Sequence, residues 1–199
     1  MTPRLLVLLV ALVPLAAPAQ EPKPRTYDII IVGGGKTEAE AQAALDRLKE
    51  KILWVRLTTG NWNFPNVEKS DDYPGLNKGL HIAVLGLCAR GGDTDVKQLL
   101  KAVKAHASGA YTKSVKGKYG DPCPPSGAFI PPSAEEKALL DRIAKEPKSA
   151  EAYFAYGQAL KDEGRLQEAR IMVDEALRLD PNHQAAKVLG ETLMVLLTD

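Results

Sequence analysis

A stretch rich in proline and glycine divides the chain into two parts that differ in character. Residues 118–132 include Cys123-Pro124-Pro125 and Pro131-Pro132, and neither proline nor glycine readily continues a helix or a strand. The charge balance also changes, because residues 20–128 carry 16 basic and 12 acidic side chains, whereas residues 129–199 carry 9 and 13. Such an asymmetry is typical of two modules. We therefore predict a hinge at residues 118–132 between two domains.

The first part begins with a pattern of alternating strands and helices. The apolar, β-branched run Tyr27–Val32 ends in three glycines and predicts a buried strand. Thr37 and Glu40 have the spacing of a capping box, so a helix is expected to begin there. A second strand is predicted at Ile52–Thr58, where side chains alternate in character. Residues 59–79 show neither pattern and are expected to form a long loop.

The same alternation continues after this loop. A third strand is predicted at Leu80–Cys88, then a helix capped by Asp93 or Thr94, and a fourth strand at Ala110–Val115. The order β-α-β-β-α-β is that of an α+β ferredoxin-like fold, in which two helices cover one face of a four-stranded sheet. We assign residues 27–117 to this domain.

The second part, residues 133–199, is predicted to be all-α. Apolar residues at helical spacing predict four helices, at Ser133–Lys145, Ala150–Lys161, Leu166–Arg178 and Gln184 to about Leu197. The last of these is too apolar for an exposed terminal helix. We expect it to pack against the first domain, a second copy of the chain or a partner, so it offers a route to oligomers.

Large, small and turn residues recur from Ala150 onward at the spacing of a repeat of about 34 residues. They are Tyr153, Tyr156, Gly157, Leu160, Gly164, Ala169, Val173, Ala176 and Pro181. This segment resembles the tetratricopeptide repeat (TPR) family, and the resemblance implies helical hairpins with a concave, peptide-binding face. The implied groove residues are Glu151, Phe154, Gln158, Lys161 and Asp162. With about two repeats the groove would be shallow, so a solvated helix face is the alternative.

Two strand–glycine–helix units in the first domain, at residues 29–41 and 82–103, together with residues 72–80, resemble the SPOR family (sporulation-related repeat). Members of that family are ferredoxin-like domains that bind the glycan strands of peptidoglycan in bacterial envelopes. The residues that we consider for glycan binding are Arg56, Trp62, Phe64 and Tyr73. Flat aromatic rings can stack on a sugar, but the same rings could instead pin the long loop over the sheet.

The central strands depart from the SPOR pattern because they are apolar on both faces. One face should carry Ile29, Ile31, Ile82 and Val84, and the face toward the helices should carry Ile30, Val32, Ala83 and Leu85. Strands that are apolar on both faces are normally covered on both sides by other parts of a protein. The cover over the first face is expected from the long loop, the C-terminal helices or a partner.

The N-terminus has the pattern of a secretory signal peptide. Arg4 precedes the apolar run Leu5–Val13, and small residues lead to a predicted cleavage site after Ala19. An uncleaved anchor is the alternative, although the run is shorter than the roughly 20 residues that span a membrane. With residues 1–19 removed and residues 20–26 as a linker, we expect a periplasmic or secreted protein without stable membrane insertion.

The predicted export bears on the oxidation state of the two cysteines. Cys88 and Cys123 would meet an oxidising compartment, and their separation of 35 residues is not that of a C-x-x-C redox motif. A structural disulfide is favoured, and it would stabilise the fold by about 4 kcal/mol through the entropy of the unfolded chain. Two separate buried thiols are the alternative.

Several function classes are disfavoured by the sequence. The near balance of 26 Lys and Arg against 25 Asp and Glu gives no field that would attract nucleic acid. Gly33–Thr37 lacks the glycine spacing of nucleotide-binding loops. No metal site, cofactor or catalytic residue is predicted, because the three histidines lie far apart and no nucleophile has an evident base. We predict a non-enzymatic, exported protein of the bacterial envelope that binds peptidoglycan glycan strands through its first domain and a protein through its TPR-like helices. The alternative is a periplasmic scaffold for a protein assembly that does not bind glycan.

Overall fold

The computed structural model describes residues 23–60, 64–120 and 122–198. The predicted signal peptide, its cleavage site and the first residues of the linker therefore lie outside the described residues. In residues 23–120, the described strands are β1 (Arg25–Gly35), β2 (Asn66–Lys69), β3 (His81–Ala89) and β4 (Tyr111–Gly117), and the helices are α1 (Glu38–Lys49), α2 (Trp54–Leu57) and α3 (Val96–His106). The strands form one sheet in the order β2-β3-β1-β4, with every neighbouring pair antiparallel. A sheet with helices, as predicted for an α+β domain, is confirmed.

The prediction of a strand at Ile52–Thr58 is wrong. That segment contains the short helix α2, and β2 comes from the region predicted as loop. The alternation has another cause, because Leu53 and Val55 pack against the helical part of the chain while Leu57 is buried in the core of the sheet part. A segment that lies between two apolar surfaces can alternate in character without pairing in a sheet.

Helices α1 and α3 cover one face of the sheet. The core between these helices and the sheet includes the four strand residues predicted for this face, Ile30, Val32, Ala83 and Leu85. The capping box of α1 is confirmed, since Thr37 Oγ1 accepts from the Glu40 amide at 3.3 Å and the Glu40 carboxylate accepts from the Thr37 amide at 3.0 Å. Helix α3 begins later than predicted because Asp95, rather than Asp93 or Thr94, accepts hydrogen bonds from the amides of the first turn.

The opposite face is covered by the loop that leads into β3. Its strand residues Ile29, Ile31, Ile82 and Val84 are at most 3% exposed. The side chains packed with them are Phe64, Tyr73, Leu76, Leu80 and Tyr119. The long loop was one of the three covers expected, beside the C-terminal helices and a partner, and it covers this face together with Tyr119 from the segment after β4.

The proline-rich segment after β4 is bonded to the sheet. The predicted disulfide is confirmed, joining Cys88 of β3 to Cys123. One residue earlier in β3, the Leu87 amide donates to the Pro122 carbonyl oxygen at 3.0 Å. A side chain at Gly86 would collide with that same carbonyl group, so glycine is required for this close approach.

Four helices follow within residues 122–198. They are α4 (Ala134–Lys145), α5 (Ala150–Asp162), α6 (Leu166–Leu179) and α7 (Gln184–Leu196), in agreement with the four predicted helices. Ser133 and Ser149 cap α4 and α5 through their hydroxyl oxygens. Across the part of the chain that the structure describes, no helix combines the length and the apolar character needed to cross a membrane.

Candidate protein-binding site

Helices α5 and α6 pack as a hairpin around a small residue. A Cβ atom placed on Gly157 would lie 3.2 Å from both the Ala169 carbonyl oxygen and Val173 Cγ2, so a larger residue would push the helices apart. Tyr156 is only 1% exposed and fills the space beside this contact. On its other side, α5 contacts the beginning of α7 through His183, which lies against Glu151 and Phe154.

The five predicted groove residues lie on this side of α5 and at its end. The carboxylate of Glu151 lies 3.1 Å from His183 Nε2, and the Phe154 ring lies 5.1 Å from the same imidazole between centroids. Gln158 is exposed one turn later. Lys161 and Asp162 form their own ion pair at 2.7 Å. The surface therefore combines a half-buried ring with charged and amide groups, a mixture that suits a polypeptide.

His183 completes this surface and was not predicted. Its Nδ1 atom accepts a hydrogen bond from the Ala186 amide at 3.2 Å and so caps α7. The proton is then on Nε2, where it can be donated to Glu151, and one neutral tautomer satisfies both contacts. Histidine is not among the preferred capping residues. Only its position directly before the last apolar helix could have indicated the role.

A buried carboxylate at the start of α4 joins several elements. Glu136 Oε1 accepts hydrogen bonds from Tyr156 Oη at 2.7 Å and from Arg165 Nη1 at 2.9 Å. Arg56 Nε lies 3.5 Å from the same oxygen. Because the Glu136 side chain is 7% exposed, little water competes for these contacts. The cluster ties α2 to α4, α5 and the start of α6.

Arg56 is part of this buried cluster, although the sequence suggested it for glycan binding. Its side chain is 6% exposed, and Nη2 donates to the carbonyl oxygens of Gly127 and Ile130 at 2.7 and 2.8 Å. Its Nε finds no hydrogen-bond partner among the described residues. The guanidinium thus links α2 to the proline-rich segment and to α4, and holds the two parts of the chain together.

The electrostatics of the cluster favour a charged Glu136. Burial alone raises the pKa of this carboxyl group, but the hydrogen bonds from Tyr156 and Arg165 and the charges of Arg56 and Arg165 outweigh burial and lower the pKa below its usual value. Burial, followed by the hydrogen bond to Glu136, raises the pKa of Tyr156. A neutral tyrosine therefore donates to an ionised carboxylate.

Tyr73 and Phe64, which were also considered for glycan binding, lie in the apolar cluster against the sheet rather than in an exposed site. Tyr73 is 6% exposed and packs from the loop onto the sheet, with its ring 5.4 Å from that of Tyr119 between centroids. Burial, and then the charge of Glu68, raises the pKa of Tyr73. Phe64 is half-buried in the same cluster. Trp62 lies outside the described residues.

A cleft of about 850 Å³ lies between helices α4, α5 and α6 and a wall formed by residues 53–55, Thr58, Gly60 and Phe64. Most of its lining is apolar and includes Leu53, Trp54, Val55, Ile143, Ile171 and Met172. The charged lining residues Asp174, Glu175 and Arg178 all belong to α6. None of the predicted groove residues lines this cleft, so the molecule has two separate candidate surfaces.

Comparison with known proteins supports the helical assignment. The tetratricopeptide repeat family matches residues 150–183, which contain α5, α6 and the turn that leads to α7. No match is found among curated proteins or solved structures. In the described residues, no group of three or more His, Cys, Asp or Glu side chains could hold a metal ion. Over residues 150–183 the chain is thus similar to a repeat that typically serves in protein–protein interaction.

Proposed function

We propose that this protein is a non-enzymatic adaptor that binds a segment of a partner protein on the surface formed by α5 and the start of α7. The observation that carries the proposal is the tetratricopeptide repeat at residues 150–183, in which Gly157 and Ala169 make the close hairpin of that family. Two neighbouring helices, α4 and α7, extend the packing on either side.

The chemistry of the surface indicates how a partner segment would bind. The Phe154 ring, half-buried beside His183, offers an apolar contact for one side chain. Gln158 offers amide donors and an acceptor to a passing peptide backbone. Because Glu151 and Lys161 already have partners in His183 and Asp162, charge is a weaker determinant than shape.

We place the protein outside the cytoplasm. The pattern of residues 1–19 supports export. A disulfide between Cys88 and Cys123 is compatible with an oxidising compartment. The partner would then be a protein of the same compartment.

The sheet part supports the helices rather than binding glycan on its open face. Its strand order and its two crossover helices favour a ferredoxin-like relationship. A glycan strand on that face would have to displace Tyr73 and the side chains packed with it, which already bury Ile29 and Ile31. We therefore assign the binding function to the helices.

Site-specific photo-crosslinking in the native host tests this assignment. A photoreactive residue at exposed Gln158 should give a discrete crosslink to a partner protein, and Phe154→Ala should suppress it. The same residue at Gln167, an exposed glutamine on α6, is the matched control and should give none. Equal crosslinking at both positions, or none at either, would contradict the proposal. Sedimentation with purified peptidoglycan provides the readout for glycan binding.

A further inference from the structure

The imidazole of His183 makes three contacts where α7 begins beside α5. Its Nδ1 atom accepts a hydrogen bond from the Ala186 amide at 3.2 Å, and its Nε2 atom lies 3.1 Å from the Glu151 carboxylate. Its ring lies 5.1 Å from the Phe154 ring between centroids. The side chain is 13% exposed, so the ring is largely shielded from water. One titratable group therefore connects the end of a helix to the surface proposed for partner binding.

The two ring nitrogens have opposite roles, and the neutral ring fills both. Nδ1 must accept from the Ala186 amide, which leaves the proton on Nε2, facing Glu151. A protonated imidazole carries hydrogen on both nitrogens and has no acceptor. Protonation therefore abolishes the hydrogen bond that caps α7, while the contact with Glu151 is kept.

The position of the ring at the start of a helix adds to this effect. The N-terminus of a helix carries a partial positive charge, so a cation is disfavoured there. His183 is the N-cap residue of α7. A histidine in the last turn of a helix, as His106 is in α3, experiences the opposite field. A charged ring at position 183 thus loses its hydrogen bond and also meets an unfavourable field.

The charged groups around the ring come from three elements. Helix α5 contributes Glu151, which is 57% exposed, and the turn after α6 contributes the exposed Asp180, whose carboxylate accepts from the Asn182 amide at 2.9 Å. Lys187 lies in the first turn of α7, where its amide donates to the His183 carbonyl oxygen at 3.1 Å. Water weakens the attraction of exposed carboxylates for a protonated ring, and the lysine opposes that attraction. These charges therefore offset only part of the lost cap.

We propose that His183 is a pH-sensitive switch of the surface formed by α5 and the start of α7. Histidine is the side chain that ordinarily changes its charge between about pH 5 and pH 8. At the upper end of this range the neutral ring caps α7 and stays against Phe154. As pH falls, the protonated ring leaves the cap and the start of α7 loosens from α5. Partner binding therefore weakens in acid, a regulation that rests on the proposed function.

Nuclear magnetic resonance of the full chain tests the switch without a partner. From about pH 8 to pH 5, the Ala186 amide proton should move upfield as its hydrogen bond is lost, in step with the titration of the His183 ring nitrogens. His183→Asn keeps a capping oxygen that does not titrate, so the Ala186 signal should stay constant. His106→Asn is the matched control and should leave the titration of Ala186 as in the wild type.

Three results would overturn the switch. An Ala186 signal that is constant with pH in the wild type would mean that the cap survives protonation. An equal movement in His183→Asn would trace the effect to a carboxyl group instead. The nitrogen spectrum of the wild-type ring gives a result that needs no variant, because hydrogen on Nδ1 at about pH 8 is incompatible with the cap.

Crosslinking from Gln158, in extracts of the native host buffered at about pH 8 and pH 5, measures the effect on binding. We expect the yield to fall about fivefold in acid, the factor that corresponds to the loss of one helix cap, and to stay constant in His183→Asn. Absence of a crosslink at both pH values would contradict the proposed function itself. A crosslink that is equally strong at both, or that falls equally in His183→Asn, would leave that function intact and overturn its regulation by His183.

Discussion

At the scale of single residues, Glu136 carries more interactions than the first turn of a helix requires. One oxygen of its carboxylate accepts from Tyr156 and Arg165 and faces Arg56. Removing the charge leaves two guanidinium groups less compensated in a place with little water. Such a loss costs more than an exposed ion pair contributes.

We predict that Glu136→Gln lowers the free energy of unfolding by about 3 kcal/mol, the usual cost of breaking a buried pair. Urea denaturation measures it. Glu135→Gln, at the exposed neighbour in the same turn, should change stability by less than about 0.5 kcal/mol. Equal losses in the two variants would contradict the account, because they would trace the effect to the helix terminus rather than to the buried cluster.

The same residue gives a dependence on pH. The pKa of Glu136 in the folded protein lies below the ordinary value of 4.5. Its contribution is therefore present above pH 4.5 and is lost as pH falls through the lower pKa of the folded state. The stability difference between wild type and Glu136→Gln should shrink when denaturation is repeated in acid. A difference that is constant with pH would show that this carboxylate is not the titrating group.

At the scale of elements, local sequence patterns correctly predicted the features that depend on interactions within a single helix. The capping box at Thr37 and the four C-terminal helices follow from spacing within one helix, and the structure has them. The prediction of a second strand at Ile52–Thr58 failed because the alternation there reflects contact with two separate surfaces. The true strand, Asn66–Lys69, has only four residues and carries little pattern of its own.

The candidate site was predictable to a similar degree. Candidate groove residues such as Phe154 follow from the resemblance of residues 150–183 to the tetratricopeptide repeat family. The role of His183 depends on a tertiary contact with Glu151 across 32 residues. The cluster of Arg56 and Glu136 joins residues 80 positions apart, and no local spacing indicates such a pair.

The approach of the proline-rich segment to β3 gives a test at this scale. Gly86→Ala would place a methyl group against Pro122 and Pro124. We predict a loss of about 2 kcal/mol, as for overpacking in other cores. Gly109→Ala is the control, since a Cβ there meets no atom within 4 Å, and it should stay within about 0.5 kcal/mol. Thermal denaturation of both variants measures the change in stability. A Gly86→Ala variant as stable as the wild type would argue against this packing.

At the scale of the whole molecule, the two parts are held as one unit. The disulfide to Cys123, the buried Phe129 and the hydrogen bonds of Arg56 all bind the segment between them. Leu53 and Val55 extend from the sheet part into the core of the helices. The two cores should therefore unfold together.

The substitution Arg56→Leu should uncouple the unfolding of the two cores. With Trp62 replaced by phenylalanine in every chain compared, tryptophan fluorescence reports on the junction through Trp54, and far-ultraviolet circular dichroism reports mainly on the helices. We expect coincident thermal transitions by the two probes in the wild type and separate transitions in Arg56→Leu. Arg47→Leu, at an exposed arginine of α1, should leave them coincident. Separate transitions in the wild type itself would refute the coupling.

The central claim is that the α5–α7 surface, and not the sheet, binds a partner protein. The most direct measurement is the affinity of the full chain for its crosslinked partner by calorimetry, with Phe154→Ala compared to Tyr111→Ala. Both remove a ring, but Tyr111 is 41% exposed on β4 of the sheet. We predict that Phe154→Ala weakens binding at least about tenfold, or about 1.4 kcal/mol, and that Tyr111→Ala leaves it unchanged. Loss of binding in Tyr111→Ala alone would contradict the claim.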